Sequence, residues 1–272
     1  MSAPPPRSLP PLLLIGGGKM GGALLAGWAE RGLAPSVVVD PSPAAEALGS
    51  AAVTVVPSLD AVPAAFAPAC IVLAVKPQQA GLVLPGLALF AKHALVVSIM
   101  AGVTVTRLRS ALGDAAVVRA MPNTPAAIRQ GITVGYAGPG VDAAQHALAD
   151  ALLTAVGEVA WVEQEGLIDP VTAISGGGPA YVFLLAELLE QAGLQQGLPP
   201  ALARQLARVT VAGSGALLAA SSDDAAALRV AVTSPAGTTE RALAVLMAAP
   251  AWPAAISAAI TAATARSREL GG

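Results

Sequence analysis

The stretch that decides the fold is LLLIGGGKMGGALLAGWAERG, residues 12–32. Four apolar residues, typical of a short buried strand, run directly into a glycine-rich turn, and an amphipathic helix is predicted over residues 20–31. Gly16, Gly18 and Gly21 have the spacing G-x-G-x-x-G. Between a strand and a helix, this motif predicts a dinucleotide-binding turn, in which N–H groups at the helix start hold a pyrophosphate.

An acidic residue follows at the distance that dinucleotide binding requires. The next apolar run, VVVD (37–40), ends at Asp40, whose carboxylate is expected to accept hydrogen bonds from both ribose hydroxyls and to repel a 2′-phosphate. No arginine follows it closely, which favours NADH, but Ser42 could still donate a hydrogen bond to a phosphate. The predicted cofactor is therefore NADPH or NADH.

Two further segments should reach the far half of the cofactor, because each follows an apolar run that reads as a parallel strand. They are AVKPQQ (74–79) and MPNTPA (121–126), in which Asn123 could face the nicotinamide. Their simpler interpretation is a solvated Lys76 and ordinary turn residues. The predicted cofactor contacts are Gly16, Gly18, Lys19, Met20, Gly21, Asp40, Ser42, Ala74, Val75, Lys76, Pro77, Met121, Pro122 and Asn123.

The first 162 residues alternate apolar runs with helical patterns. The runs are continuous rather than alternating, as expected of parallel strands that are covered on both faces. Helices are predicted between them, for example over 105–112 and 142–156. The runs are LLLI (12–15), VVVD (37–40), CIVLAV (70–75), ALVVSI (94–99), AVVRAM (116–121), ITVGYA (132–137) and EVAWV (158–162). Residues 1–162 are therefore predicted to form a doubly wound α/β domain with a mainly parallel sheet.

The pattern changes after Trp161, and residues 163–272 are predicted to form an all-α domain. Some of its helices are apolar on nearly every face, so we expect another subunit to cover them. The predicted helices span 180–192, 200–220, 223–232, 238–247 and 253–270.

Composition excludes several classes of function. The net charge is −2 and neither sign forms runs, so no nucleic-acid partner is expected. The mean hydropathy of +0.68 raises the question of a membrane protein, but the longest uncharged span, 242–265, carries Pro250 and Pro253 and is interpreted as buried helices. The opening apolar run is too short for a signal peptide, so a cytoplasmic location is expected. One cysteine and two histidines predict neither a disulfide nor a metal site.

The stretch VTSPAGTTERAL (232–243) gathers hydroxyl side chains around a proline and a glycine. Ser234 is expected to cap a helix that has Pro235 at its first position. The simple interpretation is a well-capped helix start. The functional one is a pocket for a small anion such as a carboxylate, formed by the N–H groups of Gly237, Thr238 and Thr239 and by the hydroxyls.

Taken in order, these strings resemble pyrroline-5-carboxylate reductase over residues 12–270. The strings that carry the resemblance are IGGGKMGGAL, VLAVKPQ, SIMAGVT, RAMPNTPA, TAISGGGPAY and, most specifically, VTSPAGTTERAL. The resemblance implies a Rossmann domain followed by a helical domain that forms homodimers, which can assemble into decamers. It also implies pyrroline-5-carboxylate, or proline, as the ligand of Ser234, Gly237, Thr238 and Thr239, with Thr239 as the catalytic residue near the ring nitrogen. One departure is Gly177, where the family usually has serine.

The chemistry of a cyclic imine suits these residues. The protonated iminium already carries its proton, so the protein has mainly to align the ring carbon with the nicotinamide and to hold the carboxylate. A rival, 3-hydroxyacid dehydrogenase, would need a base, usually a lysine of the helical domain, and this chain has no lysine after Lys92. A second rival, a sensor that binds NAD(P)H without turnover, would not need a carboxylate pocket.

Overall fold

The computed structural model describes residues 8–271. They form two compact units: the chain up to Gly176 together with its last segment from Ala263, called here the sheet region, and Gly177–Ala262, called the helical region. The predicted division fell after residue 162, whereas this one falls after residue 176. The segment that follows the last strand stays with the sheet region because its Asp169 side chain binds Arg119 of the sheet and Ser267 of the last helix.

One sheet of eight strands forms the centre of the sheet region. The seven apolar runs are confirmed as strands, with ends that differ from those predicted by two residues at most. An eighth strand, the third in the chain, was not predicted from its pattern. The strands are β1 (Leu12–Ile15), β2 (Ser36–Val39), β3 (Val53–Val56), β4 (Cys70–Leu73), β5 (Leu95–Ser98), β6 (Val117–Met121), β7 (Gly131–Ala137) and β8 (Gly157–Trp161).

The order of the strands is β3-β2-β1-β4-β5-β6-β7-β8. All neighbours are parallel except β6 and β7, which are antiparallel. The chain order reverses between β1 and β4, and in open α/β sheets ligands bind outside the carboxyl ends of the strands at such a point. The sheet therefore confirms the predicted doubly wound domain and places the ligand-binding edge after β1 and β4.

Alternate residues of each strand enter two separate cores, one on each face of the sheet. On one face Leu13 and Ile15 pack with Leu84 and Leu108, which come from two of the covering helices. On the other face Leu12 and Leu14 pack with residues that include Leu24, Trp28 and Leu152. The helices of the sheet region are α1 (Lys19–Glu30), α2 (Ala80–Ala91), α3 (Val105–Leu112), α4 (Ala143–Leu153) and the short α5 (Ile168–Val171), which continues as a π-helical turn over Thr172–Gly176.

The helical region contains α6 (Gly178–Gln195), α7 (Pro200–Ala220), α8 (Ala225–Ala231), α9 (Thr238–Leu246) and the start of α10 (Trp252–Gly271), whose end belongs to the sheet region. The helices α6 and α7 pack together, and a Cβ on Gly193 would lie 3.2 Å from that of Ala203. The predicted all-α organisation is confirmed.

The helical region buries little of its own apolar surface. Between Gly177 and Ala262 only Ala203 and Ala207 are buried, whereas Phe183 is 68% exposed and Val209 is 65% exposed. The helical stretch Glu165–Gln195 is also long and apolar enough to cross a membrane, judged by length and composition alone. Those two properties do not separate a membrane span from a helix that a second protein chain covers.

Candidate functional site

The glycine-rich turn lies between β1 and α1, at the edge where the sheet reverses its order. Gly16 has a φ of 97°, which a residue with a side chain rarely adopts. A Cβ on Gly16 would lie 2.8 Å from the carbonyl oxygen of Ala74, and one on Gly21 would collide with the carbonyl oxygen of Gly16. The motif therefore needs these two glycines to close the turn against the end of β4.

The middle glycine of the motif, Gly18, faces open space. Gly18 is the N-cap of α1, makes no side-chain cap, and has nothing within 4 Å of the position of a Cβ. The first N–H group that donates a hydrogen bond within the helix is that of Gly22, to the carbonyl oxygen of Gly18 at 2.7 Å. The N–H groups of Lys19, Met20 and Gly21 therefore stay without partners in the helix. Free N–H groups at a helix start, with open space beside Gly18, fit a pyrophosphate.

Asp40 follows β2 directly, and its carboxylate is held in place by the backbone. Oδ2 accepts a hydrogen bond from the N–H of Gly17 at 2.6 Å, and Oδ1 accepts one from the N–H of Ser42 at 2.8 Å. Each carboxylate oxygen can accept a second hydrogen bond, so both remain able to bind a ribose hydroxyl. Asp40 thus also braces the glycine-rich turn, a role that the sequence did not indicate.

The remaining predicted cofactor residues follow β4 and β6. Ala74 donates its N–H to the oxygen of Ile15 at 2.8 Å, which joins the end of β4 to the glycine-rich turn. Lys76 is exposed, at the start of a 3-10 turn over Pro77–Gln79. Met121 and Pro122 are buried at the end of β6. The structure therefore brings all these residues to the carboxyl ends of β4 and β6, which are parallel and separated by β5, while their contacts with a cofactor remain a prediction.

Asn123 is already engaged through both ends of its amide. Its Oδ1 accepts a hydrogen bond from the N–H of Ile132 at 3.0 Å, and its Nδ2 donates to the Oγ of Ser175 at 3.3 Å. Ser175 lies in the π-helical turn that follows α5. Asn123 thus joins the loop after β6 to the segment that leaves the sheet region.

The hydroxyl-rich turn lies in the helical region, before α9. The helix begins at Thr238, with Gly237 as its N-cap, so the expectation that Ser234 caps the helix and that Pro235 opens it is wrong. The reason is a tight turn. Gly237 donates its N–H to the oxygen of Ser234 at 3.0 Å, and Ala236 has a left-handed φ of 56°.

The free hydrogen-bond donors of this turn differ in part from those predicted. The N–H of Gly237 is used within the turn, whereas those of Thr238, Thr239 and Glu240 precede the first bond within the helix, from Arg241 to Gly237 at 3.3 Å. Within residues 8–271, the hydroxyls of Ser234, Thr238 and Thr239 make no hydrogen bond to another residue. These groups form an open set of donors for a small anion.

One acidic residue of this turn was missed by the sequence analysis. The Oε2 of Glu240 accepts the N–H of Ala236 at 2.5 Å and so holds Ala236 in its left-handed conformation. The usual capping-box signature could not have indicated this contact, because it requires Ser or Thr as the cap and a bond to the N–H of that cap, whereas the cap here is Gly237 and Glu240 binds Ala236.

Known proteins match this chain over both of its regions. Residues 165–270 match the family model described as pyrroline-5-carboxylate reductase dimerisation, and residues 12–102 match that of NADP oxidoreductase, coenzyme F420-dependent. A pyrroline-5-carboxylate reductase of Synechocystis sp. is 42% identical over 261 residues, which cover 95% of this chain and 97% of the relative. The chain belongs to the pyrroline-5-carboxylate reductase family.

Solved structures of the pyrroline-5-carboxylate reductase family share the whole fold. That of Coxiella burnetii is 35% identical and superimposes with a TM-score of 0.88, covering 98% of this chain and 100% of the other. That of the Plasmodium falciparum pyrroline carboxylate reductase, solved with NADP bound, is 27% identical, with a TM-score of 0.83 over 98% of this chain and 100% of the other.

Proposed function

We infer that the protein reduces the cyclic imine 1-pyrroline-5-carboxylate to L-proline with a hydride from NADPH or NADH, the last step of proline biosynthesis. The observation that carries this function is the coexistence, in a chain similar to these reductases along nearly its whole length, of a glycine-rich turn that fits a pyrophosphate and a turn of free hydroxyl and N–H donors. Neither alone would specify the reaction.

The turn before α9 is proposed to hold the substrate carboxylate. The N–H groups of Thr238 and Thr239 lie at the positive end of the helix dipole, which stabilises an anion there. The hydroxyls of Ser234 and Thr239 add donors without adding a charge, and the Thr239 hydroxyl is proposed to lie near the ring nitrogen. Because Glu240 occupies the N–H of Ala236, this N–H keeps the turn in shape and is not available to the substrate.

The residues of the sheet region bind and orient the dinucleotide, which supplies the hydride when bound. The N–H groups at the start of α1 hold its pyrophosphate, and the Asp40 carboxylate accepts hydrogen bonds from its ribose hydroxyls. Because the protonated iminium carries its own proton, the reaction needs no strong acid from the protein; alignment of the ring carbon supplies much of the rate increase. The uncharged donors of the α9 turn are consistent with that need.

Asp40 should favour NADH over NADPH. Its carboxylate is fixed by the N–H groups of Gly17 and Ser42, so it cannot easily turn away from a 2′-phosphate, and it carries the same sign of charge. Glu46, in the 3-10 turn that follows Asp40 in the chain, is a second negatively charged residue of this segment. We therefore expect a higher kcat/KM with NADH in parallel initial-rate measurements.

A second copy of the chain is proposed to cover the helical region, as a homodimer that can assemble further into a decamer. The match to a dimerisation family supports this occupant over a lipid bilayer for the stretch Glu165–Gln195. We further propose a cytoplasmic protein with a small-molecule substrate and no nucleic-acid partner, in keeping with the net charge of −2 and its even distribution.

Turnover of the substrate tests the function directly. Purified protein mixed with pyrroline-5-carboxylate and either NADH or NADPH at neutral pH should consume the reduced cofactor and form proline in equal amounts. Absence of turnover with both cofactors would refute the reductase function.

The substitution Thr239→Ala tests the proposed substrate site. Loss of one hydrogen bond to a charged substrate should lower kcat/KM by roughly one to two powers of ten. Thr106→Ala is a matched control, because Thr106 is also exposed and is also the second residue of a helix, α3 in the sheet region. Equal kcat/KM values for the two variants would remove Thr239 from the site.

A further inference from the structure

Arg119 is a charged residue buried inside the sheet region. It lies on β6, and its side chain is 2% exposed. Its Nη1 lies 3.1 Å from Oε1 of Glu165, and its Nη2 lies 3.4 Å from Oδ1 of Asp169. Its Nε is buried without a hydrogen-bond partner in the part of the chain that the structure describes. Both carboxylates come from the segment that follows the last strand.

Each of the two carboxylates also holds a second element. Oε1 of Glu165 accepts the N–H of Val105, the first residue of α3, at 2.8 Å. Oδ1 of Asp169 accepts a hydrogen bond from the Oγ of Ser267, on α10, at 2.7 Å, and Ser267 is itself buried. The cluster of Arg119, Glu165, Asp169 and Ser267, called here the Arg119 cluster, therefore joins one strand to three separate helical segments.

Two residues of the Arg119 cluster lie beside the two points where the chain passes between the sheet region and the helical region. The chain leaves the sheet region after Gly176 and returns to it at Ala263. Asp169 lies shortly before the first of these two connections, and Ser267 lies shortly after the second, so the hydrogen bond between them ties the two connections together. Arg119 lies two residues before Met121, in the strand whose following loop is proposed to bind the nicotinamide.

Stability alone gives a weak reason for this arrangement. Removing charges from water is costly, and a buried ion pair often contributes little more to stability than apolar residues of the same volume would. What such a network does is fix the geometry of the groups that it joins, since each of its hydrogen bonds constrains direction as well as distance. The groups joined here are the strand beside the cofactor and both connections.

We propose that Arg119, Asp169 and Ser267 are positioning residues, which fix the paths of both connections so that the rate of hydride transfer, but not the affinity for the cofactor, depends on them. This inference rests on the proposed reductase function. A misplacement of about 1 Å far from the reacting atoms can lower a rate by roughly 100-fold. None of the three residues needs to touch the substrate.

Hydrogen exchange tests the positioning without reference to activity. Asp169→Asn keeps the shape of the side chain but removes its charge, and Ser267→Ala removes a single donor. Each variant should raise deuterium uptake in both connections, over 170–180 and 258–268, although it alters only one of them. Arg266→Ala is the control, because Arg266 is the neighbour of Ser267 but forms an exposed ion pair with Glu269 at 2.9 Å. It should change neither connection.

Two exchange results would overturn the proposal. Increased uptake confined to the connection that carries the substitution would mean that the hydrogen bond does not couple the two. A uniform increase over the strands of the sheet as well would mean that the Arg119 cluster only stabilises the fold.

Kinetics then test the consequence for the reaction. Asp169→Asn and Ser267→Ala should lower kcat by roughly 10- to 100-fold, while the Kd for NADH, measured by its fluorescence, stays unchanged. An unchanged kcat, or a loss of cofactor affinity equal to the loss of kcat, would overturn the proposal. Wild-type protein without turnover would instead refute the reductase function, and the exchange result would still decide whether the Arg119 cluster couples the connections.

Discussion

The sheet region and the helical region are built from similarly apolar sequence, but they bury it in different ways. In the sheet region the strands place alternate side chains on two faces, and helices cover both, so that residues such as Leu13, Leu24 and Ile71 are fully buried by their own chain. In the helical region only Ala203 and Ala207 are buried. A sheet can thus complete its core within one chain, whereas these helices cannot.

The exposed apolar residues of the two regions therefore have different meanings. Leu82 and Leu89 of α2 are 85% and 86% exposed, yet the opposite face of that helix packs into a complete core. Single exposed apolar residues on a folded domain are common and need no partner. Phe183, Leu188 and Val209 belong to helices without such a core, and for them we propose that a second chain supplies the missing contacts.

The largest expected effect comes from placing a charge on the apolar surface of the helical region. Phe183→Glu should dissociate the oligomer and abolish activity, because an unpaired carboxylate that a second chain covers costs several kcal/mol to remove from water. Leu82→Glu, on the more exposed surface of α2, should change neither the assembly nor the activity. Sedimentation velocity measures the assembly of the two variants, and turnover of pyrroline-5-carboxylate measures their activity. If both variants stay assembled, or if both dissociate, the contrast between the regions is wrong.

The next largest effect is expected from truncating a side chain in the core of the sheet region. Leu24→Ala removes a fully buried side chain of α1 and should lower the free energy of unfolding by about 2–5 kcal/mol, while the oligomer stays intact. Leu82→Ala is the same substitution at an exposed site of the same region and should have almost no effect. Urea denaturation of the two variants, with sedimentation at the same protein concentration, measures the difference. Dissociation caused by Leu24→Ala would show that the sheet region takes part in assembly.

The same contrast explains which parts of the fold could be predicted from the sequence. Continuous apolar runs identified the buried strands, because a parallel strand covered on both faces has no polar side. The strand β3 (Val53–Val56) lies at the edge of the sheet, and of its two middle residues Thr54 is exposed and Val55 is only partly buried, so it lacks that pattern. The assembly of the helices was inferred for the corresponding reason, an apolar surface larger than the region can cover.

How well each site could be predicted depended on how far apart in the chain its contacting residues lie. The glycine-rich turn was predicted because its geometry depends on a few consecutive residues. The Arg119 cluster was not, because its partners lie 46 and 50 residues further along the chain and a further contact spans 98 residues. The start of α9 was misplaced because a left-handed alanine is rare, and Ser234 followed by Pro235 is a common helix start.

Two left-handed residues, one in each region, allow a smaller test. Ala236 has a φ of 56° and a side chain that makes no polar contact, so Ala236→Gly should relieve strain and stabilise the turn by a net of roughly 0.5 kcal/mol. Arg129 has a φ of 62°, but its guanidinium binds both carboxylate oxygens of Glu30, at 2.9 and 2.7 Å. Arg129→Gly should therefore destabilise the protein. Thermal unfolding of the two variants should give shifts of opposite sign; shifts of the same sign would contradict the roles given to the two side chains.

The smallest expected effect is the pH dependence of the ion pair of Glu30. It tests whether surface charge contributes to the stability of the sheet region. The hydrogen bond from the Arg129 guanidinium lowers the pKa of Glu30 and raises that of Arg129. Because the pKa of Glu30 is lower in the folded than in the unfolded chain, its contribution is present above the unfolded value of about 4.3 and is lost as the pH falls through the folded value. Glu30→Gln should therefore lower the melting temperature slightly at pH 7, and this difference should disappear in acid. Glu158→Gln, at an exposed acid on β8 without an ion pair among the described residues, is the control and should match the wild type at both pH values. If the melting temperature of Glu30→Gln also equals that of the wild type at pH 7, the exposed ion pair adds nothing to stability, and the stability of the sheet region comes from its two cores.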